Sequence, residues 1–163
     1  MAIIISQPSI KIGSLLGGGI VFYIDASGKH GLICTTMNLP IGTGYATWGC
    51  YGTTIGGTST AIGTGQANTT LIVAGCATAG IAARICNDLT LNGYDDWYLP
   101  SLNELDQMYK NLQLNGIGGF TTSYYWASTE YNDLYAWIQD FSNGDQYNLY
   151  KVNNFYVRAV RSF

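Results

Sequence analysis

Between Gly52 and Thr69 the chain reads Gly-Thr-Thr-Ile-Gly-Gly-Thr-Ser-Thr-Ala-Ile-Gly-Thr-Gly-Gln-Ala-Asn-Thr. Gly and Thr at this density cannot sustain a helix. The wider segment from Asn38 to Thr70 has the same bias toward Gly, Thr, Ala and Ser. A connection of that length without regular structure is uncommon in a compact domain unless it has a role or folds onto its neighbours. The regular frame must therefore come from the two flanking parts of the chain, with Tyr45 and Trp48 placed to anchor the start of the segment.

Before it, the apolar run Ile20–Ile24 follows Gly17-Gly18-Gly19 and leads into the polar turn Asp25–Gly31. Leu32-Ile33-Cys34 then returns, a β-hairpin pattern with a longer loop. The three glycines precede a strand rather than opening a helix, so they lack the loop-to-helix geometry of a phosphate site. Residues 1–13, broken at Ser6-Gln7-Pro8-Ser9, read as a lead-in, and residues 14–163 as one domain of a size able to bury a core. After the Gly/Thr segment, Leu71–Leu89 carries Ile81, Ile85 and Leu89 at helical spacing, and Asn92-Gly93 supplies a stop. A second helix starts at Ser101, with Glu104 at capping-box spacing and Leu102, Leu105, Met108, Tyr109 and Leu112 as its apolar face. Asp95 and Asp96 precede it. Adjacent carboxylates with no second acidic cluster at calcium-loop spacing are expected to bond loop N–H groups rather than a metal.

From Tyr124 to Phe163 the chain turns to strands. Tyr135–Ser142 alternates, with Tyr135, Trp137, Gln139 and Phe141 on one face. Asn143-Gly144 predicts a two-residue type I′ turn, Gln146–Val152 returns, and Tyr156–Arg161 follows, its Arg158 and Arg161 expected to pair with Glu104 or Asp106. This stretch concentrates Tyr and Trp with Asn, Ser and Asp, the mixture in which binding surfaces are enriched.

Charge narrows the function classes. Seven Lys and Arg against ten Asp and Glu give a net charge of −3, which offers no electrostatic footprint for nucleic acid. The longest apolar runs, Ile3–Ile5 and Ile20–Ile24, are far shorter than a membrane helix, and the start lacks the pattern of a signal peptide. The lone His30 sits in a turn without a Ser or Cys partner motif. Cys34, Cys50, Cys76 and Cys86 match no zinc or redox spacing. Cys76 and Cys86 on one helix would lie about 15 Å apart, too far to bridge, so free buried thiols are expected.

Several blocks together resemble a known family. They are Gly18–Tyr23, His30–Cys34, Asn92-Gly93-Tyr94-Asp95-Asp96-Trp97-Tyr98-Leu99-Pro100-Ser101 with Glu104-Leu105, Tyr125–Glu130, and Arg158–Phe163. The family is the C-terminal domain of bacterial collagen-like adhesins and phage tail proteins. The resemblance implies an α+β, C-type-lectin-like fold with two helices packed on short, mostly antiparallel sheets. It also implies similarity to the variable proteins of diversity-generating retroelements, in which adenine-directed mutagenesis of Asn codons reaches Asn, Asp, Tyr, Ser, Ile, Val, Leu and Phe but not Trp, Gln, Glu, Lys or Met. Ligand contacts are then expected at Asn132, Asp133, Leu134, Tyr135, Ile138, Asp140, Tyr147, Asn148, Leu149, Tyr150, Val152, Asn153 and Phe155. Trp126, Glu130, Trp137, Gln139, Gln146 and Lys151 would be frame. The implied role is a non-enzymatic receptor-binding module at a phage tail tip or bacterial surface, recognising a cell-surface protein or polysaccharide, with no cofactor and no metal. A homo-oligomer is expected, a trimer by analogy with phage fibres. The alternatives are a relative of the formylglycine-generating oxidases, which would need a reactive cysteine pair, and a structural tail subunit.

Overall fold

A computed structural model describes residues 9–163; the isoleucines at 3–5 and most of the Ser6–Ser9 break lie outside the described residues. The fold is α+β. The expected hairpin forms as β2 (Gly19–Ile24) and β3 (Gly31–Cys34), with the short β1 (Leu15–Leu16) outside β2. Beyond β3, the C-terminal β9 (Val160–Ser162) pairs Cys34 with Val160 and Leu32 with Ser162. The two ends of the domain thus close one four-stranded sheet in the order β1-β2-β3-β9. A second sheet has the order β4 (Tyr45–Thr47), β8 (Asn154–Tyr156), β5 (Tyr124–Glu130), β6 (Tyr135–Asp140), β7 (Gln146–Tyr150). It is antiparallel except where β5 meets β8.

Period-two alternation along the central strands feeds two cores. Val21, Ile33 and Trp126 enter one, with Trp48, Ile72, Ile81, Trp97, Ile138 and Val157. Their neighbours Phe22, Leu32, Tyr125 and Ala127 enter the other, against Leu102, Leu105, Met108 and Tyr109 of α3 (Leu102–Asn111). The predicted capping box at α3 is complete: Ser101 Oγ accepts from Glu104 N, and Glu104 Oε2 accepts from Ser101 N at 2.8 Å. Burial pushes the Glu104 carboxyl above the ordinary glutamate value, while the N–H groups of Ser101, Gly63 and Gly65 pull it back.

The helix expected over residues 71–89 is instead two. α1 spans Gly65–Gly75 and α2 spans Ala82–Asn87. α1 therefore begins inside the Gly/Thr segment. Gly65 is required by proximity: a Cβ there would meet Glu104 Oε2 at 2.3 Å and Leu99 O at 2.9 Å. The break is closed by Arg84 of α2, whose Nη2 donates to Val73 O at 2.8 Å and Cys76 O at 2.7 Å, covering the end carbonyls of α1.

Two turns also differ from expectation. The β6–β7 hairpin forms, but with a four-residue loop: Asp140 N donates to Asp145 O at 2.8 Å and Gly144 N to Asp140 O at 2.7 Å, with Gly144 at φ +87°. The two-residue turn with both φ positive lies at Asn92 (φ 53°) and Gly93 (φ 81°), closed by reciprocal Leu91 and Tyr94 bonds.

The arginines do not pair with Glu104 or Asp106. Arg158 is buried, and its guanidinium donates to Asn38 Oδ1, Thr35 O, Gly118 O and Gly119 O. Arg161 holds Asp96 through Nε–Oδ1 at 2.5 Å and Nη2–Oδ2 at 2.9 Å. That guanidinium keeps the Asp96 carboxyl below the ordinary aspartate value. A depressed folded-state value means the pair contributes stability above about pH 4 and loses it as pH falls through the folded value. Asp96 is half exposed, so the expected cost of Asp96→Asn is only about 0.5–1 kcal/mol at pH 7. The difference from wild type should shrink in paired urea melts as pH falls below the ordinary aspartate value and the Asp96 carboxyl takes up its proton.

A candidate ligand-binding face

The register of the β6–β7 hairpin sorts the expected contact positions onto two faces. Opposed residues of an antiparallel pair share a face. Tyr135 opposes Tyr150 and Trp137 opposes Asn148, whereas Ala136 opposes Leu149 and Ile138 opposes Tyr147. One set therefore carries Tyr135, Asn148 and Tyr150, and the other Ile138, Tyr147 and Leu149.

On the second face the side chains continue into the core. Ile138 is fully buried and offers no surface to a ligand. Asp140 is buried too, its Oδ1 accepting from Ser142 N at 2.8 Å and Ser142 Oγ at 2.6 Å. These two positions thus leave the candidate surface. Leu149 and Phe155 pack against the first core. Phe155 lies 4.8 Å from Trp126 and 5.3 Å from Tyr124, and Tyr124 lies 6.4 Å from Tyr147. Tyr147 is the exposed end of this row and donates its hydroxyl to Asp145 Oδ2 at 3.0 Å.

On the first face three loops converge. Tyr135 stacks on Tyr150 with ring centroids 4.5 Å apart and planes at 28°. Tyr51 joins them, 6.0 Å from Tyr150 at 55°. It is delivered from 84 positions upstream of Tyr135 by Gly52 N donating to Asp133 O at 2.9 Å. Lys151 N donates to Leu134 O, and Trp48 N and Gly49 N donate to Lys151 O, which locks the loops at 48–53, 131–134 and 151–153 to one another. Asn132 Oδ1 accepts from Leu134 N and Tyr135 N at 2.9 Å each, so this side chain shapes its loop. Leu134, Asn148 and Asn153 are half-buried around the rim. Val152, more than half exposed, lines a shallow pocket with Thr47, Gly49, Cys50, Tyr51, Thr78 and Lys151.

Beneath this face lie two staples. Lys151, within the tyrosine-rich stretch, is fully buried; its ammonium lies 2.6 Å from Glu130 Oε1 and 2.9 Å from Thr53 O, above the Trp48 ring. Glu130 also accepts from Ile55 N at 2.9 Å and Gly56 N at 2.7 Å. The Gly/Thr segment is thus folded onto its neighbours by side chains outside it, helped by Asn68, which bonds both Ser59 N and Ser59 O. The second staple corrects the expectation of four free thiols: Cys50 and Cys76 form a disulfide. Cys34 and Cys86 are free and buried, and burial pushes the Cys34 thiol up to about 12 and Cys86 up as well.

Tyr51 was absent from the expected contacts. Its signal was faint but real: it is the one aromatic between Trp48 and α1, next to a cysteine, in a segment otherwise built of small residues. Among the described residues no group of His, Cys, Asp and Glu is placed to hold a metal, and no helix is long and apolar enough to cross a membrane.

Residues 50–161 match the family described as the Lcl C-terminal domain. No curated protein matches the chain. Among solved structures, a fimbrial protein from Bacteroides ovatus ATCC 8483 is similar in fold, with a TM-score of 0.59 at 15% identity. The alignment covers 87% of this chain and 43% of that one, so the chain spans less than half the length of its structural relative.

Proposed function

Because the chain belongs to the Lcl C-terminal domain family, we propose that it is a non-enzymatic recognition module displayed at a surface, binding its receptor through the face built by Tyr51, Tyr135, Tyr150 and Val152. The observation that carries this reading is the contrast between that face and what lies under it. The exposed rings of Tyr51 and Tyr150 and the half-buried Tyr135, large in area and low in side-chain entropy, sit on a loop and two strand ends fastened by a buried ion pair and a disulfide. A pre-organised aromatic surface of this kind reduces the ordering cost of binding. The disulfide suits a protein working in an oxidising environment such as a cell exterior or virion, and the similarity to a fimbrial protein agrees with a surface location.

Asp133, Leu134, Tyr135, Asn148, Tyr150, Val152 and Asn153 are the contact positions in this reading, with Asn132 shaping the rim. Tyr147, Leu149 and Phe155 form a separate patch on the other side of the hairpin. Retroelement diversification, a C-type-lectin-like fold and a tail-tip location belong to the same proposal. The diversification part is tested on the DNA, by a near-copy of the gene's 3′ end differing at adenines beside a reverse-transcriptase gene. Single contacts of this size bind weakly, and a homo-oligomer, a trimer in our reading, would raise avidity through effective concentration.

The experiment is adhesion of beads carrying the chain at high density to a panel of bacterial and animal cells. At least one cell type should retain the beads. The triple variant Tyr51→Ser, Tyr135→Ser, Tyr150→Ser should lose that retention by at least about tenfold, the worth of one modest aromatic contact. Retention unchanged by the triple substitution would place the receptor site elsewhere.

A further inference from the structure

The tyrosine cluster also carries information about the chemistry of its ligand. Tyr135 and Tyr150 are closed on each other at 4.5 Å, but Tyr51 and Tyr150 stand 6.0 Å apart and tilted by 55°. The Tyr51 and Tyr150 rings touch at an angle rather than face to face, and both residues are more than two-fifths exposed, so part of each ring is open to solvent. Ring faces attract cations within about 6 Å of the centroid. The chain uses this contact elsewhere: Lys151 lies 4.6 Å from the Trp48 centroid, Arg158 4.1 Å from Phe120 and Arg161 3.8 Å from Tyr94. Those rings are occupied by the protein's own cations. Among the described residues, Tyr51 and Tyr150 face none.

The three converging segments carry two charged side chains, and among the described residues only the negative one is unpaired. The three converging segments contribute Asp133, whose carboxylate takes no hydrogen bond from the described residues while its own backbone carbonyl accepts from Gly52, next to Tyr51. Their one cation, Lys151, is fully buried and neutralised by Glu130 at 2.6 Å. An anionic ligand would meet no free positive charge here and would have to approach Asp133. An organic cation would meet aromatic rings, which attract ammonium groups, next to a loop that carries an unpaired carboxylate.

We propose that Tyr51, Tyr135 and Tyr150, with Asp133 beside them, form a recognition site for an organic cation, an alkylammonium or guanidinium group borne by the receptor. This rests on the reading that the face binds a ligand and adds the ligand's charge and class. Such a group has two sources, a trimethylammonium headgroup or the side chain of a surface lysine or arginine.

The test is an NMR titration of the intact chain with choline, Nα-acetyl-lysine amide and Nα-acetyl-arginine amide, and with 3,3-dimethyl-1-butanol as the uncharged isostere of choline. Saturable shifts confined to Tyr51, Tyr135, Tyr150 and residues 131–134 are expected for at least one cation, with the isostere at least about tenfold weaker. Tightest binding of choline assigns the headgroup, and of the lysine or arginine amide a protein side chain; either supports the site. Tyr150→Phe, which keeps the ring face, should retain binding. Tyr150→Leu, which keeps apolar area alone, should remove it, and Asp133→Asn should weaken it several-fold. Equal affinity for choline and its isostere, no saturation by any cation up to about 100 mM, or unchanged binding by Tyr150→Leu overturns the proposal. Bead adhesion that needs the tyrosines but is not competed by any of these cations overturns the cation assignment alone and leaves the binding face standing.

Discussion

Lys151→Ala is expected to lower the free energy of unfolding by about 3–5 kcal/mol, the cost of breaking a buried ion pair by removing one partner. In a domain of this size that is a fall in Tm on the order of 10 °C. The position looks unpromising by its neighbours, since Tyr150 and Val152 are both exposed, yet Lys151 itself is wholly buried. Its removal leaves Glu130 charged in a nearly dry site, 4% exposed, and leaves Thr53 O without its donor. Glu130→Ala should be worse than Lys151→Ala. It strands three donors rather than one anion: the Lys151 ammonium, Ile55 N and Gly56 N. The double variant Lys151→Ala, Glu130→Ala should cost less than the sum of the two single changes, because the residues share one network. Chemical denaturation at pH 7 reads all four proteins. Single-variant losses below about 1 kcal/mol would show the pair to be solvated and without structural weight.

Reduction of the Cys50–Cys76 disulfide is the second large effect. The bridge closes a sequence separation of 26, for which the chain-entropy account gives about 3.5 kcal/mol. The bonded segment contains the Gly/Thr run, where flexible residues make the unfolded chain costly to order. Cys50 also holds a positive φ of 47°, an uncommon state for a residue other than glycine, and the bridge helps to keep it there. Reduction should therefore do more than lower Tm. Amide exchange at Gly52 and Thr53 should speed up, because Gly52 N donates to Asp133 O and Thr53 N donates to the carbonyl of the bridged Cys50. Adhesion through Tyr51 should weaken before the fold is lost. The double variant Cys50→Ser, Cys76→Ser should reproduce the reduced protein. Equal melting of oxidised and reduced chains would mean that the ion-pair network alone holds the loop.

How much of this was legible in the sequence differs by element, and the reason is physical in each case. The capping box at Ser101 was readable because both partners are local, three residues apart. The first hairpin was readable because apolar runs and a polar turn are local too. The dipeptide Asn-Gly is ambiguous by itself: the tight turn expected at Asn143-Gly144 lies at Asn92-Gly93, while at Asn143-Gly144 the hydrogen bonds of Asp140 and Asp145 enclose four residues. Local chemistry permits the turn at both places, and the flanking pairing decides.

The helix at Gly65 was hidden because glycine is penalised in a helix on average, whereas here the close approach of Glu104 and Leu99 excludes any larger residue. The disulfide was hidden because its partners sit at the two ends of a folded-back loop, a juxtaposition without local signal. The partner of Arg161 was missed for the same reason: the Asp96 loop reaches β9 through the Tyr98–Val160 bridge, which no spacing announces.

For the candidate face, the alternating pattern from Tyr135 onward placed Tyr135 and Trp137 on one side of the strand, as the register has them. A rule based on residue type alone cannot see that Ile138 points into the core, or that Tyr51 crosses from the Gly/Thr segment to meet Tyr150. Of the six residues expected in the frame, Trp126, Gln139 and Lys151 are buried and the Glu130 side chain nearly so, whereas Trp137 is half-buried and Gln146 exposed.

On the proposed binding role, the last third of the chain divides into a buried frame and a replaceable recognition surface. A surface-displayed library of all single substitutions from residue 130 to 156, sorted by resistance to proteolysis, tests it directly. Asp133, Tyr135, Asn148, Tyr150 and Val152 should accept most residue types without loss of resistance, while Glu130, Ile138, Gln139 and Lys151 should accept few. If Tyr135, Tyr150 and Val152 prove as restricted as Lys151, the tyrosine cluster is part of the frame and the recognition surface has been misplaced.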